Sequence, residues 1–461
     1  VVGVGGGYHV RALLYAGHSF AVIEPDRCVE KCALDAALAD SDVLLHVGEP
    51  EALLGAPRFR EIIERGAQVL VHPPTERLHP QYVDAERNVI ARAAIAEKRL
   101  GVAIVGPMYG GSLPLCTYLT NAFARLGHRT LFVDNSQAWA LYRSVTGTVQ
   151  SKNASGQLGA LLGNVLEQWS YARVAEFAPN LCIVMAQAPV GPAFPLRLKK
   201  ENIVSAFWFV ENWRHMPYWQ HICTRYDCFF HVQPGEFERK FEEAVCMRHA
   251  FVQTACDPEV HKPVTLSNDE LEEYACEVAF AGAGYYNRNQ FLAGLTDYRL
   301  KIWGTEWGSR DLQPFLCKPD ERFTPEQFAK IVAGAAINLN LHSSATHSVA
   351  DPRCDAINPR VFEIAACGGF QICDPCKGLD CFFDPATELP TYRDLAECRT
   401  LIDYYLAHGD ERRAVAARAR ERVLREHTYE RRARQMMDFM LEKFAVQIVE
   451  KGVRAQRSAA E

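Results

Sequence analysis

The residues best suited to chemistry share one window, DAINPRVFEIAACGGFQICD (355–374), which sets Asp355, Arg360 and Glu363 ahead of a glycine pair. A helix opened by Asn358, with Pro359 at its first position, places Glu363 in the second turn. A carboxylate there can accept two hydroxyls of a ribose. It can equally pair with Arg360, three residues earlier, on a solvated helix face. Gly368 and Gly369 would end that helix before the chain returns to a strand. Upstream, VAFAGAGYYNR puts Gly282 and Gly284 at a strand end and Arg288 at a helix start. Backbone amides and a guanidinium at such a turn suit a diphosphate, although a surface arginine fits the same pattern. In GPMYGGS, Gly110 and Gly111 precede another helix and either admit an acceptor or diphosphate or form a close turn. GVGGGYH carries Gly3, Gly5 and Gly7, with Glu24 closing the next strand. That arrangement fits a nucleotide or S-adenosylmethionine turn, or a tight turn that binds nothing. FVENWRHMPYWQ offers Glu211 and His215, neither assigned as a base.

The elements that position these residues repeat one signature: a short apolar β-branched run, a glycine-bearing turn, then an amphipathic helix. That alternation means an α/β protein with parallel sheets. Three blocks are expected, at 1–96, 97–262 and 263–440, with 441–461 as a helix end and tail. The first is small, with strands in VVGVGGGYH, FAVIEPD, DVLLHVG and AQVLVH. The polar, glycine-rich YRSVTGTVQSKNASGQLGALLGN reads as a long loop or mobile helix start. The two larger blocks are Rossmann-like domains facing each other. Ligands in open α/β sheets bind beyond the carboxyl ends of the strands, so such a pair encloses a two-substrate cleft.

A chain of 461 residues with a net charge of −6 argues against a general nucleic-acid or membrane-surface binder. No apolar run reaches the length of a transmembrane helix, and VVGVGGGYHV carries no charged leader, so neither a spanning segment nor a signal peptide is expected. The 16 cysteines are scattered and mostly apolar in context, as reduced thiols in a cytoplasmic protein would be. CDPC (373–376) has the spacing of a metal or redox pair, but a zinc ribbon needs a second such pair and the sequence has none. No metal site is therefore expected.

RVFEIAACGGFQICD resembles the R-x-F-E-x-x-A-x-G-G-x-x-x-x-D signature of CgeB-like proteins among the bacterial group 1 glycosyltransferases. VAFAGAGYYNRNQFLAGL, LKIWGTEW, INLNLH and HTYERRARQMM resemble other segments of that family, so the likeness is strongest over 265–440. The resemblance implies a GT-B fold, with a smaller Rossmann-like domain preceding it. It also implies transfer of a sugar from a UDP-, GDP- or TDP-sugar, without a tightly bound cofactor or a catalytic metal. Asp355-x7-Glu363 is similar to the Glu-x7-Glu motif of retaining enzymes, in which the second acid binds the donor ribose. By resemblance, the donor site comprises Gly282, Gly284, Arg288, Arg360, Glu363, Gly368 and Gly369, with Asp355 and Glu363 as catalytic candidates. Gly110 and Gly111 would face the acceptor or diphosphate. The first block is similar to a segment of flagellin-modification and motility-accessory proteins, which makes flagellin or a surface polysaccharide an expected acceptor. A non-catalytic sugar-nucleotide or carbohydrate binder, and a methyltransferase-like first block fused to a transferase, are the competing expectations.

Overall fold

The structure, a computed structural model, describes residues 1–4, 8–18, 20–25, 43–66, 68–96, 98–319, 321–344, 347 and 351–460, with side chains to 451. Its first part is a small sheet of β1 (Ala21–Glu24) and β2 (Leu44–Val47), paired in parallel. The strands expected in VVGVGGGYH and AQVLVH are reduced to single bridges, Val2 to Ile23 and Val2 to Val71. Helices Tyr8–Tyr15 and Pro80–Ile95 form as the periodicity requires.

The second sheet has six parallel strands: β3 (Gly101–Val105), β4 (Arg129–Val133), β5 (Leu181–Met185), β6 (Val204–Phe209), β7 (Cys228–His231) and β8 (His249–Phe251). Their spatial order is β4-β3-β5-β6-β7-β8. Every residue of β3, β5 and β6 is buried, which explains their unbroken apolar runs: helices cover both faces of a parallel sheet.

The third sheet has five parallel strands, β9 (Cys276–Ala281), β10 (Leu300–Trp303), β11 (Leu316–Cys317), β12 (Ala335–Asn340) and β13 (Gln371–Cys373), in the order β11-β10-β9-β12-β13. Strand order reverses between β3 and β5 in one sheet and between β9 and β12 in the other. Those reversals splay the following loops apart and open a crevice at each.

Two expectations change. The segment read as a loop forms helices Trp139–Gly147 and Lys152–Phe177; Ser151 caps the second by accepting from the Ala154 amide at 3.3 Å. Its glycines lower helix propensity without forbidding the helix. The last helix, Tyr429–Ala460, also leaves the third block. Its Tyr429, Ala433, Met436 and Met440 enter the core under the six-stranded sheet, beside Trp208 and Phe230. The chain thus crosses between the larger domains twice, and the crossings pair in parallel through Cys256 and Thr428.

Because Met436 is fully buried, Met436→Ala should cost ~2–5 kcal/mol in the unfolding transition of the six-stranded domain, measured by urea denaturation. A cost below ~0.5 kcal/mol would mean the helix does not form part of that core.

Candidate active site

At the β9/β12 reversal lies a cavity with an empty volume of about 310 Å³, lined by Phe280, Arg288, Phe328, Asn338, Asn340 and Arg360 among others. Arg288 and Arg360, separated by 72 positions in the chain, thus meet at the carboxyl ends of the central strands. Arg288 is fixed by its neighbours: Nε and Nη2 donate to the Leu341 carbonyl at 3.1 and 2.8 Å, and Nη1 donates to that of Ala283 at 3.0 Å. Its guanidinium also lies over Phe280 and Tyr285. Burial holds its pKa down to about 10, so it remains a cation at neutral pH. Arg360 stacks over Phe323 and Phe328 at 5.1 and 4.4 Å and pairs with Glu363.

Glu363 stands three residues after Arg360, as anticipated, but on a buried face. Its carboxylate is 3 % exposed and faces His261 Nε2 at 3.8 Å as well as Arg360. The bland alternative of a solvated i, i+3 pair therefore fails on burial, and an open ribose grip is not formed either. What the carboxylate does here is hold Arg360 and meet the interdomain crossing at His261. Burial pushes the His261 pKa down, partly opposed by the nearby Glu363 charge.

Asp355 goes elsewhere. Its Oδ1 accepts from Arg214 Nη1 at 2.9 Å and from Gln233 Nε2 at 2.6 Å, both from loops at the carboxyl end of the six-stranded sheet. It is an interdomain tie in this conformation. Arg214 is shared with Glu236 at 2.7 Å. Arg214 and Gln233 escape sequence reasoning because nothing in NWRHM or HVQPG marks a partner more than a hundred residues away.

Several glycines also serve packing. The amides of Gly282 and Gly284 donate to Trp303 and Thr305 carbonyls at 2.9 Å each, so neither is open to a diphosphate. A Cβ on Gly284 would lie 2.5 Å from the Glu306 carbonyl, which is why the loops after β9 and β10 require glycine there. Gly368 and Gly369 close the far end of helix Arg360–Ala366, and a Cβ on Gly369 would strike Val332 at 2.3 Å. In the small domain a Cβ on Gly3 would meet Thr75 Oγ1 at 2.2 Å, while Glu24 accepts the Val4 amide at 2.6 Å. These contacts give Gly3 and Glu24 structural work; Gly5 and Gly7 lie outside the described residues.

The loop after β3 behaves differently. Gly111 has open space where a Cβ would be, and Ser112 is buried with Oγ lacking a hydrogen-bond partner among the described residues, at the start of helix Leu113–Arg125. Across from it, Arg322 donates from Nη1 to the Gly110 carbonyl and from Nε to Tyr109 Oη, each at 3.2 Å. Tyr109 stacks on Trp139 at 4.5 Å. Past the end of β6, burial pushes the Glu211 carboxyl above its ordinary value.

Residues 288–438 match the family described as glycosyl transferase-like. The spore protein CgeB of Bacillus subtilis is 21% identical over 262 residues, spanning 54% of this chain and 80% of that protein. Residues 288–438 are glycosyl transferase-like, and the chain is similar to CgeB over 262 residues. Sucrose-phosphate synthase from Thermosynechococcus elongatus superposes with a TM-score of 0.52 at 13% identity, covering 75% of this chain and all of that one. A glycosyltransferase from Rickettsia africae gives 0.52 at 12%, covering 75% and 98%. HepE of Anabaena, solved with UDP and glucose, gives 0.50 at 10%, covering 74% and 99%. These likenesses establish the GT-B fold for this chain. Among the described residues, no helix is long and apolar enough to cross a membrane.

One of the ties to Asp355 comes from Gln233, whose carbonyl meets His231 Nδ1 at 2.9 Å. Burial, helped by His249, pushes the His231 pKa down to about 3 from an ordinary 6.5. Between those values the unfolded chain binds a proton that the folded chain refuses. Its contribution is therefore complete above about pH 6.5 and is lost as pH falls toward 3. Urea unfolding at about pH 5 should show a loss on the order of 2 kcal/mol relative to neutral pH, and His231→Gln should flatten that slope. An unchanged slope in the variant would remove His231 as the cause.

Proposed function

We propose that the chain is a glycosyltransferase that takes a sugar from a nucleotide-diphosphate donor held by residues 263–440. The observation that carries this reading is the joining of Arg288 and Arg360 at the β9/β12 reversal, in a cavity at the carboxyl ends of the strands that also holds Asn338 and Asn340. Two guanidiniums are the usual answer to a leaving diphosphate, because they neutralise charge as it develops without needing a catalytic metal. Residues 97–262 would present the acceptor, a protein or glycan, from the loop Gly110–Ser112. The Asp355-x7-Glu363 spacing supports a retaining course. An inverting course would need a base, for which Glu211 is placed past β6. A hexose donor and a cytoplasmic setting belong to the same proposal.

A second reading is a donor-binding protein without turnover. It is supported by the engagement of both acids, Asp355 with Arg214 and Gln233, and Glu363 with Arg360.

The test is hydrolysis and calorimetric binding of a panel of UDP-, GDP- and TDP-sugars. Arg360→Ala should weaken donor binding roughly 10- to 100-fold, as loss of a hydrogen bond to a charged group of ~1.5–3 kcal/mol requires. Arg360→Lys keeps a cation beside Glu363 but loses the planar fork, and should fall between the two. The exposed Arg393→Ala should change nothing. Binding without turnover of any donor would favour the second reading, and no binding of any donor would overturn both.

A further inference from the structure

The sequence has no second cysteine pair to complete CDPC, but the fold supplies other partners. β12 and β13 are neighbours, with Asn340 in register with Cys373, so the loops leaving their carboxyl ends run side by side. One carries His342 and the other Asp374 and Cys376. The crossover between the strands brings in Cys354, and its carbonyl accepts the Lys377 amide at 2.8 Å. Ligand atoms of His342, Cys354 and Cys376 all lie within 4.8 Å of one another, and the two sulfurs are 3.0 Å apart.

We propose that His342, Cys354 and Cys376 form a site for a thiophilic divalent cation of the zinc class, with Asp374 positioning the histidine. A second observation, independent of the cysteines, points to the ligand. The His342 ring is buried, its Nδ1 faces Asp374 Oδ1 at 2.7 Å, and its Nε2 has no hydrogen-bond partner among the described residues. An imidazole held at one nitrogen by a carboxylate, with the other nitrogen left unpartnered among the described residues, is the arrangement metal-binding histidines adopt. Asp374 is itself fixed, since Oδ1 also accepts the His342 amide at 2.8 Å. One imidazole and two thiolates suit zinc, whose fourth position then takes water or another ligand.

The sulfur separation distinguishes the site from its nearest competitor. Tetrahedral zinc with Zn–S bonds of about 2.3 Å sets its thiolates about 3.8 Å apart, so the pair must open slightly. A disulfide needs about 2.05 Å, so the pair must close, and it would leave the bare imidazole nitrogen without a function. The bound ion would fix the crossover that carries Asp355 to the end of β13. This inference does not depend on the donor reading.

The test uses the full chain purified in reductant without chelator. Elemental analysis should find about one equivalent of zinc, and Co²⁺ replacement should give a thiolate-to-cobalt charge-transfer band with tetrahedral d–d intensity. Cys354→Ser, Cys376→Ser and His342→Gln should each weaken Co²⁺ binding roughly 10- to 100-fold, while Cys381→Ser, an exposed thiol on the same segment, should not. The wild-type cobalt spectrum stands even if a variant fails to fold. The proposal is overturned by wild-type protein with free thiols, no metal and no charge-transfer band. It is equally overturned by metal binding insensitive to all three substitutions, or by a Cys354–Cys376 disulfide in protein alkylated directly at lysis.

Discussion

Asp355 ties the two larger domains together through side chains, taking one donor from Arg214 and another from Gln233 while almost fully shielded from water. A carboxylate so placed contributes little net stability, because desolvation offsets much of its attraction to Arg214. Removing either partner is costly all the same, since a buried charge would remain uncompensated. The tie therefore acts on geometry more than on stability: it sets which loops of the six-stranded sheet stand opposite which loops of the five-stranded one. On the chain itself the same spacing is kept by the paired crossings at Cys256 and Thr428.

With that spacing set, the cavity lies at the β9/β12 reversal, and Arg322 reaches from the same domain to the Gly110 turn after β3. Arg360 shows how the seam and the cavity are coupled. Its guanidinium lines the cavity, its stem and charge lie over Phe323 and Phe328, and its carboxylate partner Glu363 reaches His261 on the crossing. A movement of the crossing thus bears on Glu363 before it reaches Arg360. A ribose hydroxyl seeking Glu363 would have to compete with a guanidinium already in place. This makes the orientation of Arg360 the first consequence of the acid and sugar contact only a second one.

The sheet strands were legible because parallel strands buried on both faces leave unbroken apolar runs, as in GVAIV and LCIVM. The CgeB-like window was legible because its residue types are unusual for a core helix. Spacing fixes the helix turn on which Glu363 lies, but it cannot say what another domain places opposite it or opposite Asp355 in the segment before the helix. Asp355 therefore looked catalytic and Glu363 looked either open or solvated. The helix Lys152–Phe177 was missed because three glycines and a polar start mimic a loop, and only Ser151 signals the cap. Gly284 sits at a turn where the neighbouring Glu306–Trp307 loop leaves no room for a side chain, while a Cβ on Gly282 would meet Phe280 and Arg288. Arg288 and Arg360 both line the cavity, which their spacing in the chain did not reveal.

These contacts also divide the proposed donor's environment unequally between the domains. The turn after β9 has spent the amides of Gly282 and Gly284 on its neighbour and offers the cation of Arg288 instead. The turn after β3 keeps Gly111 open and leaves Ser112 Oγ bare at a helix start, yet Arg322 already grips the Gly110 carbonyl from the other side. One wall of the gap thus supplies fixed positive charge and the other supplies unspent backbone and hydroxyl. Charge alone would bind any phosphate, and a bare turn alone would bind little. Discrimination in favour of a ligand that spans both walls follows from their facing each other, which returns the specificity of the site to the side chains that hold the domains in register.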